Sequence, residues 1–238
     1  MTLLKHYPQL KGMTLGQIAN LCYTSKASIS RFCRFLGMDS FKAFQAWLEQ
    51  DFTMRTDYSR QFYTMLHNNQ EMAIGSYRDT LISNIYATIT PENAEVIPDI
   101  VRVLHGCGKA PISPTTLWDI GHYFQSKMMI MGRYVELFMD YAAQLECARS
   151  LTENDFAIIC SVGGSYPTRY PDICNAIISS GCKVLVITQN LASPYLNTAD
   201  FILQCGTTNR NDVGKYAALM ANDLIVMGYM QAYDKAFQ

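Results

Sequence analysis

Charge is scarce in this sequence. Asp, Glu, Lys and Arg make up 16% of its 238 residues and nearly cancel, leaving a formal net charge of -1. That excludes a uniformly basic coat for nucleic acid, although not a basic end. Long apolar runs are missing too. No stretch reaches the ~18 apolar residues of a membrane span, and the N-terminus lacks an apolar segment ending in a small-residue cleavage site. The eight cysteines, at 22, 33, 107, 147, 160, 174, 182 and 205, form no CxxC pair. Free thiols in a reducing cytoplasm are expected rather than a disulfide framework. The four histidines, at 6, 67, 105 and 122, show no ligand spacing, so no metal is expected. A Walker lysine motif is absent, and the GCG at 106–108 lacks the full dinucleotide pattern. No cofactor is expected.

Apolar residues make up 49% of the chain, enough for a substantial core. The small charge is unevenly divided. Residues 1–60 hold eight Lys or Arg against four acids, whereas the remaining 178 hold eleven against sixteen. A small basic module is therefore expected before a larger, mildly acidic one, with a polyanion as partner of the first only.

The basic module reads as short helices. Thr14 and Gln17 form a capping-box pattern ahead of Leu15, Ile18, Ala19 and Cys22 at helical spacing. After a break at Tyr23-Thr24-Ser25, a second helix runs from Lys26 to Leu36. Its expected buried stripe is Ile29, Phe32, Cys33 and Leu36, and Gly37 ends it. Ser40 is placed to cap a third helix, with Phe41, Phe44, Trp47 and Leu48 inward. Two short helices with a tight turn, the second basic and rich in small hydroxyls, suit the DNA major groove. Thr24, Ser25, Lys26, Ser28 and Arg31 are the candidates for base or phosphate contact, and Arg34 and Lys42 for backbone contact. Spacing alone leaves a protein-binding module or a simple cap open.

Residues 14–48 resemble the N-terminal helix-turn-helix domain of the RpiR-type bacterial transcription regulators. The match is specific at Ser28-Ile-Ser-Arg-Phe-Cys-Arg-Phe-Leu-Gly37 and Ser40-Phe41-Lys42. The resemblance implies that the second helix recognises double-stranded DNA. Members usually have an additional leading helix; here only thirteen residues, interrupted by Pro8 and Gly12, precede Thr14.

Residues 61–95 are expected as a helical connector with a break near Asn68-Asn69. Its apolar positions suit either an oligomer contact or packing on the second domain.

From about residue 96 the pattern alternates between strands and helices. Ile100–His105 is read as a first strand, followed by Gly106-Cys107-Gly108. Later strands are Tyr134–Phe138, Phe156–Cys160, Lys183–Ile187 and Asp200–Gln204. Helices are expected at 115–131, 142–150 and 171–180, with a closing helix over 215–237. The fold class is thus a helix-turn-helix domain at 1–60 and a three-layer α/β/α sandwich at 96–238 with a mostly parallel five-stranded sheet. Ligands of such sheets gather at the C-terminal ends of the strands. The candidate effector residues are Cys107, Gly108, Lys109, Ser161, Gly163, Gly164, Ser165 and Thr188. The glycines equally suit plain strand-to-helix turns.

Residues 100–237 are similar to the sugar-isomerase-type (SIS) domain, the usual effector domain of RpiR-type regulators. The resemblance lies in Ile158-Ile-Cys-Ser-Val-Gly-Gly164, Gly181-Cys-Lys-Val-Leu-Val-Ile-Thr188, Ser193-Pro194 and Ala199-Asp200. It implies a cytoplasmic regulator, a homodimer or homotetramer, with a phosphosugar effector held by loop hydroxyls. The departures fall on the ligand loops. Gly106–Lys109 carries no hydroxyl, and Gly163 stands where the family loop has its second serine. A weakened or altered pocket is expected, as is the alternative of a dimeric scaffold that binds no DNA. No acid–base pair is evident among His105, His122, Glu136, Glu146 and Glu153, so the chain is read as no enzyme.

Overall fold

Thr14 begins the first helix as its spacing predicts. The Gln17 N–H donates to Thr14 Oγ1 (3.3 Å) and the Thr14 N–H to Gln17 Oε1 (2.7 Å), closing the capping box of α1, Leu15–Leu21. The computed structural model describes residues 3, 6, 9, 10, 12–46, 60–114, 118–208 and 211–233. The chain divides into two compact units, Met1–Arg60 and Gln61–Gln238.

In the first unit Ser25 caps α2, Lys26–Phe35, its Oγ accepting from the Ser28 N–H at 3.1 Å. Gly37 ends that helix with φ 77°. A third helix occupies 41–46, and Ser40 Oγ accepts from the Ala43 N–H. Ile18, Ala19, Ile29, Cys33 and Phe44 form the core with Leu10. Phe32 and Leu36, expected inside, are 36% and 42% exposed. They flank the Ile29–Cys33 line, and a stripe two residues wide suffices for so small a core. Trp47, Leu48 and most of the leading segment lie outside the described residues.

In the second unit α4 spans Arg60–Asn68 and α5 Gln70–Thr88, with Asn69 capping the latter at the predicted break. α5 packs against the closing helix, so the expected connector is part of this unit. The predicted strand Ile100–His105 is helical instead: α6 runs Pro91–Gly106. Thr90 caps it, Pro91 fills the first turn where no N–H is needed, and Ile97, Ile100, Val101 and Leu104 recur at helical spacing in the core. Pro98 sits within this helix on an exposed turn, which makes the sequence look like a boundary.

The first strand is therefore β1, Pro111–Pro114, followed by α7 (Trp118–Ile130), β2 (Glu136–Leu137), α8 (Tyr141–Arg149) and β3 (Phe156–Cys160). Then come the one-turn α9 (Tyr166–Arg169), α10 (Pro171–Ser180), β4 (Lys183–Thr188), β5 (Phe201–Gln204) and α11 (Asn211–Tyr233). All five strands are parallel, in the order β2-β1-β3-β4-β5. Leu137, Ile112, Ile158, Leu185 and Phe201 form one row across the sheet. One face packs on α6, α7 and α11, the other on α8 and α10.

α6 and α11 meet at a glycine. A Cβ on Gly228 would stand 2.3 Å from Ile97 Cγ2. Gly228→Ala must part the helices or force Ile97 off its rotamer, an overpacking cost of about 1–3 kcal/mol. The expected result is a lower thermal midpoint, recovered in part by Ile97→Ala in the same chain.

Candidate DNA-binding face and candidate effector site

Successive residues of α2 turn by 100°, so Arg31 and Arg34 stand opposite the buried Ile29–Cys33 line. Ser25 Oγ lies 3.0 Å from Ser28 Oγ, and an Arg31 guanidinium nitrogen donates to Ser28 Oγ at 3.4 Å. These three residues form a ladder along one edge of the helix, with the arginine outermost. Thr24, Ser25, Lys26, Arg31, Arg34 and Lys42 are exposed and Ser28 is half-buried. The Lys26 stem crosses α1 at Gly16, where a Cβ would meet its Cε at 3.2 Å. The seven predicted residues thus belong to one small unit. Six of them, Thr24 to Arg34, lie on α2 or the turn before it, and Lys42 lies on the next helix.

In the second unit the strand order reverses between β1 and β3, so the crevice expected for a ligand lies beyond Pro114 and Cys160. The correction to the first strand now matters. Cys107, Gly108 and Lys109 precede β1 and therefore sit at the opposite, N-terminal edge of the sheet from Ser161 and Thr188. Their polar groups are engaged there. Arg133 donates to Cys107 Sγ (2.8 Å) and to the Gly108 carbonyl (3.2 Å). Lys109 Nζ donates to Ser150 Oγ (2.8 Å), and the Lys109 N–H to Asp155 Oδ1 (2.7 Å). A Cβ on Gly108 would meet that same Oδ1 at 2.8 Å. Gly108 is needed for close packing at this edge, and these three residues do not join the crevice.

At the C-terminal edge, Ser161 is buried and its Oγ accepts from the Tyr166 N–H at 3.0 Å. Thr188 Oγ1 donates to the Val162 carbonyl (3.2 Å) and accepts from the Asn190 N–H (3.1 Å). Both hydroxyls hold the loops in shape. Gly163 is half-buried; Gly164 takes φ 74° and packs so closely on Asn190 that a Cβ would lie 2.9 Å from its Nδ2. Ser165 is exposed and caps no N–H with its side chain. Burial and hydrogen bonding to Ser113 surround the Tyr166 phenol; burial dominates and pushes its pKa up. The phenol donates to Gln144 Oε1 at 3.0 Å.

Sequence reasoning missed two groups. Ser113, at the end of β1, is hidden because a strand reading Pro-Ile-Ser-Pro has almost no strand signal. Asn84 comes from α5: its Oδ1 accepts from the Thr207 and Thr208 N–H groups, both at 3.1 Å. The Asn84 Nδ2 and both amide atoms of Gln189 are buried without a protein partner. An unpaired buried amide is costly, so this corner beyond β4 and β5 suits a polar guest or water. A narrow apolar cleft lies on the other face, reaching from Val184 and Ile177 up to Ser161, Thr188 and Thr198.

His105 and Glu136, weighed above as acid–base groups, lie away from the crevice. His105 stacks on Tyr233 and pairs with the Tyr229 hydroxyl at 2.9 Å; Glu136 accepts from the Ala110 N–H. Among the described residues no His, Cys, Asp and Glu group could hold a metal, and all eight cysteines are free. Among them, too, no helix is long and apolar enough to cross a membrane.

The fold and these two faces define a helix-turn-helix module followed by a parallel sugar-isomerase-type sandwich. Residues 1–55 match the helix-turn-helix domain of the rpiR family. A curated relative from Haemophilus influenzae, described as an uncharacterized HTH-type transcriptional regulator, is 23% identical over 94% of this chain and 81% of its own length. The Vibrio vulnificus NanR protein complexed with ManNAc-6P superposes with a TM-score of 0.56 at 18% identity, covering 97% of this chain and 84% of that one. The sugar isomerase domain of an RpiR transcription factor from Sphaerobacter thermophilus gives 0.53 at 15% identity over 69% of this chain and 91% of its own. The first unit thus carries an rpiR-family helix-turn-helix domain, and the second has the fold of the sugar isomerase domain.

Proposed function

We propose that the chain is a DNA-binding transcriptional regulator of the cytoplasm whose sandwich responds to a phosphorylated sugar or related metabolite and catalyses nothing. The observation that carries this reading is the exposed Ser25–Ser28–Arg31 ladder, with Arg34 beside it, on the helix that the rpiR-family domain supplies. Small hydroxyls let the helix approach base edges, and the two guanidinium groups offer charge and guanine recognition. Lys26 and Lys42 would neutralise flanking phosphates, and the Thr24 hydroxyl would donate to one. A dimer would set two such helices about 34 Å apart on successive major grooves. Met72, Ile82, Tyr86 and Ile89, exposed on or just beyond α5, are suitable for joining the copies.

The effector would sit beyond β1 and β3, against Ser113, Gly163, Gly164 and Ser165, with Ser161 and Thr188 shaping the loops. ManNAc-6P, the ligand of the NanR structure, is the natural first probe. One observation favours a second reading, a scaffold with a degenerate pocket: the Ser161 and Thr188 hydroxyls are already bonded within the protein. Selection of duplexes from a random library by the intact chain, then titration with sugar phosphates, separates the two. The regulator reading expects an enriched sequence, affinity falling steeply with salt, and one sugar phosphate that shifts it. An enriched sequence indifferent to every sugar phosphate would leave the DNA function and remove the effector. No enrichment at low salt would overturn the regulator.

A further inference from the structure

Among the described residues, Tyr23 is the one non-glycine residue with a positive φ, 51°. It stands between Cys22, the C-cap of α1, and Thr24. Its N–H donates to the Asn20 carbonyl at 3.0 Å, and the Thr24 N–H to the Ala19 carbonyl at 2.9 Å. Both bonds pin the left-handed turn that separates the two helices. A side chain there crowds its own backbone, which is why glycine is the usual occupant of such helix ends. The tyrosine recovers little from the rest of its unit, for the residue is 95% exposed. For stability alone, glycine would serve this turn better than tyrosine. Strained residues persist where an external interaction uses them.

The position says which interaction. Tyr23 is two residues before Ser25, the N-cap of α2, at the end of that helix that carries Thr24, Ser25 and Lys26. If that end enters the major groove, the chain just before it passes the phosphodiester strand at the groove wall. We propose that Tyr23 is a phosphate contact, its phenol donating a hydrogen bond to a backbone oxygen of the duplex that α2 reads. The inference rests on the DNA reading above. A tyrosine with a fixed backbone has only two side-chain torsions to order on binding, and a hydrogen bond to a charged oxygen is among the stronger kinds. Tyr23 brings no charge, so it displaces no counterion.

The test uses the full chain and the duplex enriched by selection, with affinity measured by fluorescence anisotropy across a salt series. Tyr23→Phe is expected to bind about tenfold more weakly, with the salt slope unchanged. Tyr23→Gly is expected to bind at least as weakly as Tyr23→Phe, yet to melt no lower than the parent because the turn is relieved. Arg31→Ala is the reference: it is expected to lose affinity and to flatten the salt slope. Parent-like affinity of Tyr23→Phe beside a weakened Arg31→Ala overturns the Tyr23 contact and leaves the DNA reading standing. Parent-like affinity of Arg31→Ala as well would remove α2 from the DNA. A Tyr23→Gly chain that melts well below the parent would show that the tyrosine serves the fold, and would also overturn the proposal.

Discussion

Arg31→Ala is expected to abolish sequence-selective DNA binding while the thermal midpoint stays where it was. The guanidinium is exposed and its recorded partner is the long contact to Ser28 Oγ at 3.4 Å. Removing an exposed side chain from a mid-helix position costs the fold little, since alanine is the best helix former. At a base edge the same guanidinium would account for about 1–3 kcal/mol of discrimination. In a dimer the loss occurs at both half-sites, so a fall of two orders of magnitude or more is expected at moderate salt. Arg31→Lys separates two uses of the charge. Lysine keeps a cation for a phosphate but cannot form the two parallel hydrogen bonds of a guanidinium. Recovery of affinity by lysine with relaxed sequence preference would place Arg31 on a base; full recovery of both would place it on a phosphate. Intact selective binding by Arg31→Ala would dismiss Arg31 as a contact.

Why was this face legible and the effector crevice less so? The first unit announces itself through local chemistry. Thr14 with Gln17, Ser25 before Lys26, and Gly37 at the end each act within a few residues. Local signals of this kind survive into the fold because nothing distant competes with them. The central strands β3 and β4 are legible for another reason. Sheets covered on both faces need continuous apolar runs, and Phe156–Cys160 and Val184–Ile187 are such runs.

The first strand fails on both counts. β1 holds only Ile112 and Ser113 between two prolines, and its place inside the sheet comes from its neighbours β2 and β3. Meanwhile Ile100–His105 has strand-like composition but is helical, because its apolar residues meet α11 at intervals of three and four. One misplaced strand moves a whole loop. Gly106–Lys109 was expected at the ligand end and lies at the other, while Ser113 took its place. The apparent loss of hydroxyls from the first loop was therefore inferred from the wrong loop. Asn84 was beyond sequence reasoning altogether, since it meets Gln189 and Gly206 only when α5 is laid beside the ends of β4 and β5.

Asp155 ties several loops together at the N-terminal edge of the sheet. Asp155 is 6% exposed and accepts three hydrogen bonds: from the Lys109 N–H (2.7 Å), the Thr152 N–H (2.7 Å) and the Thr152 hydroxyl (2.9 Å). Burial by itself would push this carboxyl up. The backbone and hydroxyl donors, with the Lys109 charge, outweigh it and hold the pKa below the ordinary carboxylate value. Because the folded pKa is depressed, the stabilisation is fully present above the unfolded pKa of about 4. It is lost as pH falls from there through the folded value. Asp155→Ala leaves two backbone donors and a hydroxyl without a partner in a dry place, a cost of about 3–5 kcal/mol. That is a large share of what a domain of this size has. The second unit is expected to melt far lower, with a midpoint that no longer declines through this group as pH falls below about 4. Gly108→Ala reaches the same carboxylate from the other side, since its Cβ would stand 2.8 Å from Oδ1. It is expected to lower the midpoint in the same direction but less, because a shift of the carboxylate retains some of its bonds. If Gly108 and Lys109 held the effector instead, Gly108→Ala would weaken sugar-phosphate binding at a temperature where the chain is fully folded. Calorimetric titration at that temperature decides between the two roles: unchanged affinity with a lowered midpoint assigns this edge to stability alone.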